Sequence, residues 1–186
     1  MSDQSRRREL MMAVSLLAAG AILGLVATRL PWGQAYLDGG GSIAAPGWEV
    51  APLYQALPLF ALAAAVAVLA TRRVGRMLIG ASLGAAALVS AYLSIMAGNA
   101  RGDRVRDWAV AAGYDVLGAT GGSAAIIWYS VAGTLIFVAG VWIAVRGSKW
   151  PTMSRRYERG SARDDSADRS TQSAWDALDR GDDPTI

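Results

Sequence analysis

Four long stretches of this chain carry no charged side chain: Leu10–Thr28, Val50–Thr71, Met77–Ala100 and Val116–Val145. No other property restricts the fold as strongly. A helix needs about 20 apolar residues to cross the hydrocarbon core of a bilayer. Lipid offers no hydrogen bonds, so a crossing segment must satisfy its backbone internally, as a helix does. Soluble core helices rarely stay uncharged for so long. The sequence therefore predicts an all-α integral membrane protein with four transmembrane helices. The predicted order is residues 1–9 on one side, spans at 10–28, 51–71, 77–98 and 124–145, links at 29–50, 72–76 and 99–123, and a tail from 146 to 186. The bilayer is its first partner.

The basic residues fix the orientation to expect. Arg6, Arg7 and Arg8 precede the first span. Arg72, Arg73 and Arg76 crowd the short middle link, and Arg146, Lys149, Arg155, Arg156 and Arg159 follow the fourth span. In the other two links acids offset the bases: Arg29 stands with Asp38 and Glu49, and Arg101, Arg104 and Arg106 with Asp103, Asp107 and Asp115. Positively charged loops stay in the cytoplasm. Both termini are thus expected in the cytoplasm and the two longer links outside, at the plasma membrane. The net charge of +3 belongs to this topology and gives no reason to expect nucleic acid. The first span also resembles a signal peptide, with a basic start and an apolar run. That run exceeds the usual 7–15 residues, so a retained anchor is the better reading.

The chain contains neither cysteine nor histidine. Disulfides, thiol nucleophiles, bis-histidine haem and the common zinc sites are excluded, and no cofactor or metal is expected. A Ser-His-Asp triad cannot be built. No ionisable residue stands at mid-depth in any span, which argues against a proton-coupled carrier. Gln55, Ser82, Ser90, Tyr92, Ser94, Ser130 and Thr134 are the polar residues left there. Their ordinary role is to bond backbone carbonyls or a neighbouring helix.

Small residues indicate the packing faces. Gly80, Gly84, Ala87, Ala91, Ser94 and Gly98 share one stripe of span three, and Gly20 and Gly24 share one face of span one. Span three is accordingly expected at the centre of the bundle. Its stripe fits a neighbour within the chain better than a second copy, although a homo-oligomer stays open. Pro52 suits the first turn of span two, and Pro58 is expected to kink it. Trp128 and Trp142 stand where an aromatic belt belongs.

The two longer links hold the candidate site: Arg29, Trp32, Trp48, Glu49, Arg101, Arg104, Asp107 and Trp108. They share one membrane face, with Arg29 and Glu49 a plausible pair and a short helix opening at Arg104. The functional reading is a shallow site for an anionic or aromatic ligand. The favoured reading is an aromatic belt with solvated ion pairs. The run Gly39-Gly40-Gly41 reads as a flexible loop.

From Pro151 the composition turns to Arg, Asp and Ser, too polar to fold alone. Within SAWDALDRG, Ser173 and Asp176 resemble a capping box, with Gly181 and Pro184 as stops. Trp175 and Leu178 would share a face, making a contact motif for a protein partner or the bilayer surface.

Four spans, the ATRLPW end of span one, the stretch GWEVAPLYQALPLFALAAAVAVLATRR and the ending AWDALDRGDDPT resemble the tryptophan-operon-associated membrane proteins of actinobacteria. The resemblance implies a multi-pass plasma-membrane protein with no established activity, no assigned site residues and a link to tryptophan biosynthesis. The expected role is a non-enzymatic accessory or scaffold protein that binds a partner through its tail. The alternative is a carrier or exporter for an indole- or tryptophan-like compound, and a membrane-bound enzyme is a weaker third.

Overall fold

The computed structural model describes residues 3–98 and 100–150. The tail motif of Trp175 and Leu178 lies outside them. Four long helices form the body: α1 (Asp3–Arg29), α3 (Ala56–Ala70), α4 (Arg73–Met96) and α6 (Ala124–Arg146). With its preceding turn, α3 gives a span of 19 residues, and the other three spans run from 23 to 26. Each is long and apolar enough to cross a bilayer. Their outward faces carry exposed aliphatics such as Ile22, Val66, Leu78, Ile127 and Val145. On a soluble protein such a surface would drive association; here it is the lipid-facing wall.

The helices pack α1 on α6, α6 on α4, and α1 on α3, with α3 and α4 joined by a two-residue link. Leu17, Val68, Leu83, Ile136 and Ile143 fill the interior and are fully buried. Close crossings depend on the missing side chains of glycine. A Cβ on Gly20 would press on Ile136 and Leu135 of α6, and one on Gly24 would come within 2.7 Å of the Pro58 ring. A Cβ on Gly80 would overlap the backbone of Gly140 and Ala144. The α4–α6 crossing is thus a glycine-on-glycine contact, the closest approach two helices can make.

Two expectations about packing change. Span three is not the centre of the bundle: 22% of the most apolar stretch of α4 is buried, against 33% for that of α1, 39% for that of α3 and 33% for that of α6. The helix that touches both α1 and α4 most extensively is α6. Within the stripe, Gly80, Gly84 and Ala87 are buried, whereas Ala91 is exposed. Gly98 lies past the end of α4, where a Cβ would meet only the Ile95 carbonyl. Periodicity identified the right face, but the neighbour covers just one half of it.

Pro58 produces no mid-helix kink. A 3-10 turn over Pro52–Gln55 carries the chain in, and α3 begins at Ala56, so Pro58 is its third residue. The first four N–H groups of a helix have no internal acceptor, and a proline there forfeits nothing. The irregularity expected inside the span sits at its start.

The end of the bundle with the Thr71–Arg72 link is tied by side chains. Buried Arg76 donates from Nε to the Val68 carbonyl at 3.0 Å and from a terminal nitrogen to the Trp150 carbonyl at 3.4 Å. Trp150, 2% exposed, donates its indole N–H to Glu9, which also accepts from Arg146 at 3.2 Å. Arg76 thereby joins α3 and α4 to the chain that follows α6, and Glu9 joins that chain to α1.

At the opposite end the two long links are not loops. The first forms strands β1 (Pro31–Leu37) and β2 (Ser42–Pro46). The second forms α5 (Arg101–Ala111) and β3 (Val116–Gly121). The sheet is antiparallel in the order β2-β1-β3, with Ala35 opposite Ile43 on one side and Ala119 on the other. Gly40 and Gly41 take φ of 87° and 93° in the hairpin turn. Only glycine adopts that region without cost, so the triple glycine shapes a defined turn. Helix α5 covers one face of the sheet with Val105 and Ala109 against Ala35 and Ala45. Three strands and a helix suffice to bury a small core of their own.

Candidate functional site

The backbone leaves α1 at Arg29 and enters β1 at Pro31, which brings Trp32 back beneath the sheet. Trp32 is 7% exposed. Its N–H donates to the Ala27 carbonyl at 2.9 Å, satisfying an acceptor in the last turn of α1. Its ring meets Tyr54 edge-on at 5.1 Å and Tyr129 at 5.5 Å, and the two tyrosines meet each other at 5.5 Å. Edge-to-face rings at these separations attract through their quadrupoles. The Tyr129 hydroxyl donates to the Tyr54 carbonyl at 2.9 Å and accepts from Ser90 at 3.0 Å. One aromatic knot therefore joins α1, β1, the 3-10 turn, α6 and, through Ser90, α4.

The remaining members of the predicted cluster separate into local contacts. Arg29 lies over the Trp48 ring, 5.1 Å from its centre, and does not pair with Glu49. The carboxylate of Glu49 accepts instead from the Trp108 indole at 2.7 Å, pinning α5 to the one-turn helix α2 (Gly47–Val50). Arg101 donates to the Ser94 carbonyl, folding back onto α4. Asp107 is exposed. The eight residues share one end of the molecule, but they do not converge on one point. Trp48, Glu49, Trp108 and Arg29 form one surface group, whereas Trp32, Arg101 and Arg104 border a small recess together.

Arg104 also borders a wider recess. A cleft of about 660 Å³ opens between the start of α3 and the second half of α4. Leu53, Leu57, Phe60, Val89, Leu93 and Met96 supply most of its apolar wall, and Arg104 stands at the sheet end. Many ligand pockets have volumes of ~300–1,000 Å³. Farther along, Val68 of α3, Leu83 of α4 and Ile143 of α6 are fully buried, and the cleft stops above them. Beside it a void of about 10 Å³ touches Trp32, Tyr54, Arg101 and Arg104, room for a single water.

Sequence reasoning missed Tyr54 and Tyr129, while Ser90 bonds a neighbouring helix, one of the two roles expected of it. Tyrosines at the ends of two predicted spans, each able to face Trp32, were the available signal.

The sequence matches the family model described as tryptophan-associated transmembrane protein over residues 14–185. The chain belongs to that family. The tryptophan-associated transmembrane proteins are membrane proteins by description, which agrees with the four apolar helices. No curated protein and no solved structure matches the chain. The family description names neither a reaction nor a ligand, so the site must be read from its own geometry.

Proposed function

We propose that this member of the tryptophan-associated family is a non-enzymatic accessory or scaffold protein of the plasma membrane, serving tryptophan metabolism. Both termini lie in the cytoplasm and the sheet lies outside. The arginines in the first turns of α1, around the junction of α3 and α4, and following α6 support that orientation.

The observation that carries this reading is how the polar groups at the sheet end are used. Trp32, Tyr129, Ser90, Glu49, Trp108 and Arg101 all spend their hydrogen bonds inside the fold, tying links and helices to one another. Such side chains build a platform; a catalyst or carrier needs them turned toward a substrate. The cleft ends against a packed core, where a carrier needs a second opening. The partner contact falls to the tail, around Trp175 and Leu178.

Two measurements separate this role from the carrier. Crosslinking in intact membranes should capture a discrete partner with the full chain and lose it when residues 173–186 are deleted. Proteoliposomes of the full chain should move labelled indole or tryptophan no faster than protein-free liposomes. Protein-dependent uptake, unaffected by the deletion, would replace the scaffold with a carrier.

A further inference from the structure

We infer that the α3/α4 cleft is a phospholipid site, with an acyl chain lying between the two helices and the phosphodiester on Arg104. The inference does not depend on the accessory role; it needs only the membrane setting.

Three observations lead to it. First, the cleft opens sideways, at a depth where the chain faces hydrocarbon. Leu53, Val89 and Met96 line it and are 70%, 58% and 59% exposed, as lipid-facing residues are. Second, of the two hydroxyl-bearing residues that line it, Tyr54 and Ser90, the serine is already engaged. Tyr129 uses its proton on the Tyr54 carbonyl, so Ser90 must donate to Tyr129. Apart from Tyr54, Ser90 and Arg104, the rest of the wall is apolar side chains, which suits an alkyl chain. Third, the charge lies at the right level. Met96 ends α4, and Arg104 follows one turn into α5, where headgroups meet the hydrocarbon. Among the described residues the Arg104 guanidinium has no hydrogen-bond or ion-pair partner, in contrast to Arg101, which bonds Ser94. A cation beside an apolar slot complements a ligand with an anionic head and an apolar tail.

The test uses the full chain purified in detergent with dioleoyl phosphatidylglycerol, followed by detergent exchange and native mass spectrometry. Wild-type protein should keep a single phospholipid per chain. Arg104→Gln should bind it about fivefold more weakly, the effect of one arginine near a lipid headgroup. Arg106→Gln, the same change at another exposed position of α5, should match wild type. Leu93→Trp should lower retention by filling the slot, and its melting temperature reports whether the fold survives. Equal retention by Arg104→Gln and Arg106→Gln would overturn the site. So would displacement of the lipid by millimolar tryptophan, which would assign the cleft to a free aromatic anion. Neither result bears on the tail or on flux, so this test can fail while the accessory reading stands.

Discussion

Trp32→Ala should destabilise the protein by about 3–5 kcal/mol, the usual cost of truncating a buried aromatic. The indole is the one ring in contact with both Tyr54 and Tyr129, and its N–H closes the Ala27 carbonyl at the end of α1. Truncation removes two ring contacts worth ~0.5–1.5 kcal/mol each, leaves a buried acceptor unpaired, and opens a cavity beneath the sheet. The surroundings cannot collapse to fill it, because β1 is held between β2 and β3. Gly47 shows how tightly the ring is enclosed: a Cβ there would overlap the indole. Thermal melting in detergent checks the value. Trp32→Phe keeps most of the packing and loses the hydrogen bond, so it should cost about 1 kcal/mol plus a smaller packing loss. Trp48→Ala, at a ring lying on the surface under Arg29, should cost under about 1 kcal/mol. If Trp32→Ala and Trp48→Ala melt together, the aromatic knot does not hold the sheet end to the bundle.

Gly80→Leu should cost about 3 kcal/mol, the upper end for overpacking, since the new side chain meets backbone and not a movable rotamer. Its Cβ would lie against Gly140 and Ala144, and the crossing must widen along its length. Gly133 supplies the contrast on α6. Nothing lies within 4 Å of a Cβ placed there. Gly133→Ala should therefore be neutral or stabilising by up to ~1 kcal/mol, the helix-propensity gain of alanine over glycine. Unfolding midpoints of the two variants in mixed micelles should move in opposite directions. A loss of stability in both would mean that α6 presents a different face to α4.

The spans were legible because lipid imposes a length and forbids charge, and both are visible in one pass along the chain. The packing stripe was half legible. Heptad-like spacing reveals which side of α4 is smooth, but nothing in Ala91 or Gly98 says that the neighbour has turned away. The sheet was hidden by its composition. Strands such as Pro31–Leu37 and Ser42–Pro46 are short and hold Ala, Gly and Pro, and the third strand comes from about 80 residues downstream in sequence. One local signal was present: two weakly apolar runs flanking Asp38-Gly39-Gly40-Gly41, a hairpin pattern. The candidate site shows the same division. Trp108 and Glu49 meet, as shared placement on one face allowed. Arg29 lies over the Trp48 ring instead of pairing with the Glu49 carboxylate, which accepts from Trp108. Tyr54 and Tyr129 acquire their role from tertiary proximity, which no single stretch of sequence encodes.

The central structural claim is that links separated by two spans fold together, as one sheet, on one face of a four-helix membrane bundle. With no native cysteine in the chain, paired cysteines report on it without background. Gln34 and Thr120 are exposed and stand opposite each other across β1 and β3. Val116 is four residues farther along β3, more than about 10 Å away at ~3.3 Å per residue and beyond the ~7 Å reach of a disulfide. In native membranes under mild oxidant, Gln34→Cys/Thr120→Cys should close an intramolecular disulfide, seen as a reducible gel shift, and Gln34→Cys/Val116→Cys should not. Failure of the first pair to close, with an impermeant thiol reagent reaching the two cysteines from opposite sides of the membrane, would contradict the account.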